Sequence, residues 1–519
     1  MDADQLTVTR LLDRAADLFP DRVVVSGAER ITYTDFTARV HRLAHVLDRL
    51  GVRRGQRVAT LAWNGHRHLE LYFAVPSSGA VLHTVNLRLT GGQIGEILRH
   101  AGDVVVFVDP DQAGLLAQAL RDAPDVRSVV VLGDELPPEA GEGWLLYDRL
   151  LGDAPDTPFP MPELAETEPA ATCYSSATTG RPKPVVYSHR AIYLHSMALA
   201  MADTWALSEA DTVLPVVPMF HVNAWGIPFA AVWLGAGIVL PGPAPSPEDL
   251  ARLIVEERVT FGAAVPTVWF GVLEHLRGIP LPDLRMLVSG GAPLPPALLG
   301  LADELDVPLV HSYGMTESTP LVLVGRTKSH LRGGPDRRLR QGTLVPGLRM
   351  SVRDESGAEV PRDGATPGEL WLRGPWVAEG YGDDPRSATA FVDGWYRTGD
   401  VVNVDAEGYV KIVDRIADLV KSGGEWISTV DLENALMDHP AVVSACVVGV
   451  PHPRWTERPV AVIVPAAEVT DDELRAHLVA RFPKWWLPDD FVRVAAVPLT
   501  SVGKFDKRAV RAMYPVAGR

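Results

Sequence analysis

Hydrophobic and polar positions change period several times along this chain. Residues 38–50 (ARVHRLAHVLDRL) place apolar side chains at helical spacing, and Gly51 follows, which predicts an amphipathic helix closed by glycine. Residues 57–62 (RVATLA) predict a strand, and a helix is expected from Leu69. Residues 103–109 (DVVVFVD) form an apolar run between charges, and residues 126–132 repeat it. Such runs fit strands buried on both faces, and strands separated by helices imply crossover connections and parallel sheets. The alternation recurs through Val265, residues 284–288 and residues 307–311. After Gln341 the strands become short and rich in turns, at 348–354, 368–373 and 409–413, which predicts an antiparallel or barrel-like section. About 100 residues with their own helix–strand alternation follow Arg415. A domain boundary is expected at 414–417, giving units 1–415 and 416–519.

Residues 220–247 contain no Asp, Glu, Lys or Arg, which is long enough to span a bilayer. Five prolines and four glycines interrupt the stretch, so a buried helix running into a buried strand at 237–240 is the expectation, and no membrane insertion. The N-terminus lacks a basic start followed by an apolar core, so no secretory signal is expected.

Composition refines this only in part. The 519 residues carry 49 Lys and Arg against 65 Asp and Glu, a formal charge of −16. That balance argues against a general nucleic-acid binder but allows a small anionic ligand at a locally cationic site. Cys173 and Cys446 fit neither a disulfide framework nor a zinc site, and a reducing cytoplasm is the expected location.

Five segments carry candidate chemistry. The first, YSSATTGRPK at 174–183, strings short hydroxyl residues before a glycine and a lysine. Hydroxyls, backbone N–H groups and an ammonium can wrap a polyphosphate, although the segment also reads as an ordinary polar loop. No Walker loop occurs in the chain. The second, SYGMTES at 312–318, follows an apolar strand, where α/β sheets bind ligands. A carboxylate beside a hydroxyl suits Mg²⁺, and a helix cap at Thr316 fits equally. The third, GWYRTGD at 394–400, offers Asp400 to a ribose or forms a turn between strands. The fourth joins Asp414 and Arg415 to KSGGEWIS at 421–428, and the fifth is SVGKFDK at 501–507. Taken singly, these read as a charged turn and a solvated lysine.

In this order and spacing, the five segments resemble the adenylate-forming superfamily, which includes acyl-CoA synthetases, firefly luciferase and peptide-synthetase adenylation domains. The likeness covers essentially the whole chain. With residues 79–89, 215–225, 421–428 and 451–455, it looks most like bacterial medium- and long-chain fatty acyl-CoA synthetases. The resemblance implies an α/β fold. A large N-terminal domain of two α/β subdomains plus a small β-barrel would be followed by a small mobile α+β C-terminal domain. It implies a reaction in which a carboxylate and ATP give an acyl-adenylate and pyrophosphate, and coenzyme A then displaces AMP.

Matching positions put Ser175 and Glu317 near Mg²⁺. Ser175, Ser176, Thr178, Thr179, Gly180 and Lys183 would lie over the phosphates. Gly291, His311, Ser312 and Tyr313 would frame adenine, with Thr316 on the phosphate side. Asp400 and Arg415 would hold ribose, and Lys504 would bridge α-phosphate and carboxylate. Lys421 and Trp426 would face the adenylate. His221 and Trp225 would line the acyl entrance, with Trp225 as a gate. A homodimer is also implied.

Three positions depart from the family pattern. Ala177 and Pro184 stand where glycines are usual in the phosphate loop, and Ala417 replaces the usual Asp or Lys of the hinge. They suggest a specialised relative and leave the thioester step less secured than adenylation. An alternative expectation follows: an ATP-dependent diazotase that activates nitrite as an adenylate and diazotises an aromatic amine without coenzyme A.

Overall fold

The computed structural model describes residues 4–175, 182–331, 334–423, 425–499 and 505–513. Ser176, Ala177, Thr178, Thr179, Gly180 and Lys504 lie outside the described residues.

Two large sheets organise the first two thirds of the chain. One has seven strands in the order Leu145–Leu146, Ser128–Val131, Asp103–Val108, Arg57–Leu61, Val81–Thr84, Pro169–Ser175 and Lys183–Ser188. All neighbours are parallel except the last pair, an antiparallel hairpin. The other has nine strands, and its six central ones are parallel: Val23–Ser26, Gly237–Leu240, Thr212–Pro215, Phe261–Ala264, Met286–Ser289 and Leu309–Gly314. Asp103–Val108 is buried at every residue, which is why its sequence shows no alternation.

The helix expected at 38–50 is Tyr33–Arg49. It starts earlier because Thr32 caps it, accepting the Asp35 backbone N–H. The helix expected from Leu69 is His66–Ser77. The uncharged stretch forms the buried helix Ile227–Leu234 and the strand Gly237–Leu240, with Gly226 and Gly235 both at positive φ at the helix ends. Among the described residues, no helix is long and apolar enough to cross a membrane. Cys173 and Cys446 are free and buried.

The turn-rich section forms an antiparallel sheet of Arg349–Arg353, Gly368–Arg373, Phe391–Val392, Trp395–Val404 and Val410–Arg415. The next strand, Val420–Ser422, belongs to a different sheet, with Glu425–Ile427, Thr456–Pro465, Val442–His452 and Asp490–Arg493. Helices Thr429–Met437 and Asp471–Val479 pack on this last sheet through Leu432, Leu436, Leu474 and Leu478.

Candidate active site

The segment 174–183 begins on the strand Pro169–Ser175 and ends on the antiparallel strand Lys183–Ser188, with Ser175 opposite Lys183. Pro184 sits on the outermost strand of the sheet, the position in which sheets tolerate proline. The Ser175 hydroxyl is buried and has no hydrogen-bond partner among the described residues. Tyr187, further along the same strand, donates to the Thr316 carbonyl oxygen at 2.9 Å and so ties the hairpin to the second segment.

That segment leaves the strand Leu309–Gly314 as the short 3₁₀ turn Thr316–Ser318. Glu317 is 7% exposed. Its Oε1 accepts from the Tyr381 hydroxyl at 2.8 Å, and Lys183 Nζ donates to the same hydroxyl at 3.1 Å. Burial lowers the Lys183 pKa, and the nearby Glu317 carboxylate works against that shift. Tyr396 Oη stands 3.5 Å from Tyr381 Oη.

A second group adjoins the first. Asp400 is almost wholly buried. It accepts from the Tyr313 hydroxyl at 2.5 Å and from Arg415 Nε at 3.0 Å. Burial first, then the Asp400 charge, holds the Tyr313 phenol protonated, and Asp400 raises the Arg415 pKa. Tyr313 also feels the Glu317 charge, so the two groups share one electrostatic neighbourhood.

The other expected adenine residues are placed differently. The His311 ring is buried, with Nε2 3.3 Å from the Ala292 carbonyl oxygen and Nδ1 3.1 Å from that of Leu339. Ser312 Oγ accepts from Trp205 Nε1 at 3.1 Å. Gly291 has φ +79° and lies beneath the Trp225 indole.

Trp225 is 8% exposed and packs on the Gly290–Gly291 backbone. A Cβ on Gly290 would stand 3.0 Å from the indole and 2.9 Å from the Ser312 carbonyl oxygen. The residues carrying Trp225 form a left-handed turn. Val222, Asn223, Ala224, Trp225 and Gly226 all have positive φ, between 47° and 73°. His221 and Trp225 line a cavity of about 320 Å³ with Gly291. Trp63, Val216, Phe220, Val265 and Val268 give it an apolar wall, and Arg88 is the one lysine or arginine among its described lining residues.

Lys421 and Trp426 face each other across adjacent strands, with the ammonium 5.4 Å from the indole. Lys421 also meets Glu355, in the turn after Arg349–Arg353, at 3.6 Å, and its backbone N–H donates to Glu457 at 3.0 Å. At the expected hinge, the Ala417 carbonyl oxygen accepts from Arg511 at 3.0 Å, and Asp418 pairs with the same guanidinium at 2.8 Å. Asp414 bridges forward to the helix Thr429–Met437, accepting from Thr429 N at 2.6 Å and Thr429 Oγ1 at 2.5 Å.

Sequence reading passes over Tyr381, Tyr396 and Tyr187. Tyr396 lies inside the 394–400 segment beside the aspartate that draws attention there. Tyr381 lies in EGYGDD, where only the flanking glycines mark it.

The AMP-binding enzyme family matches residues 12–382, and the AMP-binding enzyme C-terminal domain matches residues 431–504. A long-chain-fatty-acid–CoA ligase of Thermus thermophilus is 47% identical, over 98% of this chain and 96% of its own. A 3-methylmercaptopropionyl-CoA ligase of Ruegeria pomeroyi is 40% identical over 98% and 97%. A crystal structure of an anthranilate CoA ligase in complex with anthranoyl-AMP superposes with a TM-score of 0.88 at 25% identity, covering 99% of each chain. These relatives are CoA ligases and lend no support to the nitrite-activating diazotase. The chain belongs to the AMP-binding enzyme family, the adenylate-forming enzymes that its five segments resemble.

Proposed function

We propose that this chain is an AMP-forming acid–CoA ligase acting on an acid with an apolar body. In the first step a carboxylate oxygen attacks the α-phosphorus of ATP, the bond from that phosphorus to the bridging oxygen breaks, and pyrophosphate leaves. In the second, a coenzyme A thiolate attacks the acyl carbon and AMP leaves. The observation that carries this reading is the adjacency of the Lys183–Tyr381–Glu317 and Tyr313–Asp400–Arg415 groups. It gathers cations for phosphate and a buried carboxylate for ribose inside an acidic chain.

In this proposal Ser175, Ser176, Thr178, Thr179, Gly180 and Lys183 hold the phosphates, Asp400 and Arg415 the ribose, and Lys504 the α-phosphate and incoming carboxylate. Gly291, His311, Ser312 and Tyr313 frame adenine, chiefly through backbone for the two whose side chains are engaged elsewhere. Lys421 and Trp426 are assigned to the adenylate face of the C-terminal unit, residues 416–519, which would have to turn to bring them there. His221 and Trp225 border the acid's apolar part.

Mg²⁺ fits Glu317 and Ser175. Glu317 has one oxygen engaged by Tyr381, and the Ser175 hydroxyl is a buried polar atom without a described partner. Among the described residues, no group of three or more His, Cys, Asp or Glu could hold a metal, which suits an ion arriving with substrate phosphates. When bound, it would neutralise phosphate charge.

The apolar cavity beside Trp225 supports a hydrocarbon-bearing acid. The relatives' names span a long-chain and a short thioether acid, so chain length is left to experiment. Pyrophosphate release is to be measured across C2–C18 and aromatic acids, followed by mass-spectrometric detection of the thioester after adding coenzyme A. Acyl-CoA formation with at least one acid is expected. Silence across the panel, or an adenylate that never passes to coenzyme A, overturns the proposal.

A further inference from the structure

Tyr381 takes no part in the proposed steps, yet among the described residues its hydroxyl is the polar atom that joins Lys183 to Glu317. The phenol's single proton goes to the carboxylate, and its oxygen accepts from the ammonium. The ammonium also lies 4.3 Å from the ring centroid. Tyr381 is 1% exposed. Its ring meets Phe391 edge-on at 5.1 Å, and its backbone N–H donates to Ser387 Oγ at 2.9 Å. The ring is therefore held on both sides and cannot swing aside cheaply.

Lys183 and Glu317 are opposite charges in a poorly hydrated place, where attraction is strong. Among the described residues they form no direct ion pair; the phenol stands between them. A direct pair would spend the lysine's charge on the carboxylate and the carboxylate's oxygens on the lysine. Both groups would then be poor partners for a metal–phosphate ligand.

We propose that Tyr381 is a positioning residue, a neutral spacer that holds Lys183 and Glu317 apart so that each stays available to the metal-bound triphosphate. The inference rests on the assignment of Lys183 and Glu317 made above. It adds that their separation is a built property, supplied by a residue that touches neither acid nor ribose in the arrangement described.

The test uses the full-length chain carrying Tyr381→Phe, which removes only the hydroxyl. ATP binding is measured by isothermal titration calorimetry without acid, in the presence and absence of MgCl₂. The expected result is that the gain in ATP affinity produced by Mg²⁺ falls by about tenfold or more, the scale of hydrogen bonds to charged groups. KM for ATP should rise while KM for the acid stays near that of the unaltered chain. Tyr381→Gln, which offers a donor and an acceptor, should recover part of the Mg²⁺-dependent gain and covers the case in which the Phe variant folds poorly.

An unchanged Mg²⁺-dependent gain in Tyr381→Phe overturns the proposal. So does an equal loss in ATP affinity, acid KM and thermal stability, which would make the tyrosine a packing residue only. An unaltered chain that binds no ATP would instead count against the proposed function, so the two failures are separable.

Discussion

Asp400 and Arg415 sit directly opposite each other on two antiparallel strands, and the hydrogen bond from Arg415 Nε to Asp400 Oδ1, 3.0 Å long, closes the pair. The carboxylate is almost fully buried while the guanidinium is about half exposed, so the pair presents its cation outward. Tyr313 occupies the other carboxylate oxygen. A ribose docking here would exchange at least one of these bonds for its own hydroxyls.

Asp400→Asn keeps the size of the side chain and removes its charge. KM for ATP should rise by about tenfold or more, the scale of a charged hydrogen bond, with little change in KM for the acid. The stability cost should be about 1 kcal/mol or less from the ion pair itself, because the Arg415 side chain is about half exposed and solvent screens it. Steady-state pyrophosphate release against ATP concentration checks this, and an unaltered KM for ATP would remove Asp400 from the nucleotide site.

Gly290→Ala tests the Trp225 wall. The new methyl would stand 3.0 Å from the indole and 2.9 Å from a backbone oxygen, so either Trp225 or the strand ends must shift. Overpacking of this kind costs about 1–3 kcal/mol. The preferred acid should change in length or bulk, read from the same acid panel by kcat/KM. A variant with the original preference and unfolding temperature would show that the indole has room to spare.

His195 gives the pH prediction. Its ring is 1% exposed, Nε2 accepts from Leu321 N at 3.2 Å, and burial lowers its pKa from 6.5 to about 3. Between those values the unfolded chain binds a proton that the folded chain refuses. Its contribution to stability therefore rises with pH through the window and is lost as pH falls from about 6.5 toward 3. One proton corresponds to about 1.4 kcal/mol per pH unit. His195→Gln can still accept from Leu321 N, and its urea-unfolding free energy should depend less on pH by that one-proton slope between pH 4 and 6. An identical slope would mean that His195 does not titrate on unfolding.

Much of this architecture is legible in the chain because burial on both faces writes itself as uninterrupted apolar runs. Asp103–Val108 and the helix–strand pair at Ile227–Leu234 and Gly237–Leu240 are of this kind. The segment at 394–400 is harder. Its glycines suggest a turn, and Gly394 at φ +74° does form one between two strands, but Trp395–Val404 then runs on as one strand that absorbs Gly399 at φ +73°. Asp400 and Arg415 can be named from motif order, but their direct opposition depends on strand register, which no local pattern encodes. Tyr381 acquires its partners only when a loop 64 residues away folds against Glu317. The His311 and Ser312 side chains fall in the expected segment but point to Ala292, Leu339 and Trp205 for reasons of packing that the segment itself does not carry.

The left-handed turn at 222–226 was invisible for the opposite reason: valine, alanine and tryptophan all disfavour it. Each such residue costs about 1–2 kcal/mol relative to the right-handed form, whereas Gly226 escapes that cost and Asn223 tolerates the conformation better than its neighbours. The turn therefore persists because tertiary contacts, among them the Trp225 indole on Gly290, oppose its relaxation. Cavity shape and backbone handedness are then a single property of this enzyme. A substitution that widens the cavity at Trp225 also loosens the clamp on the turn, so altering substrate range at this position would reshape the wall as well as enlarge the space.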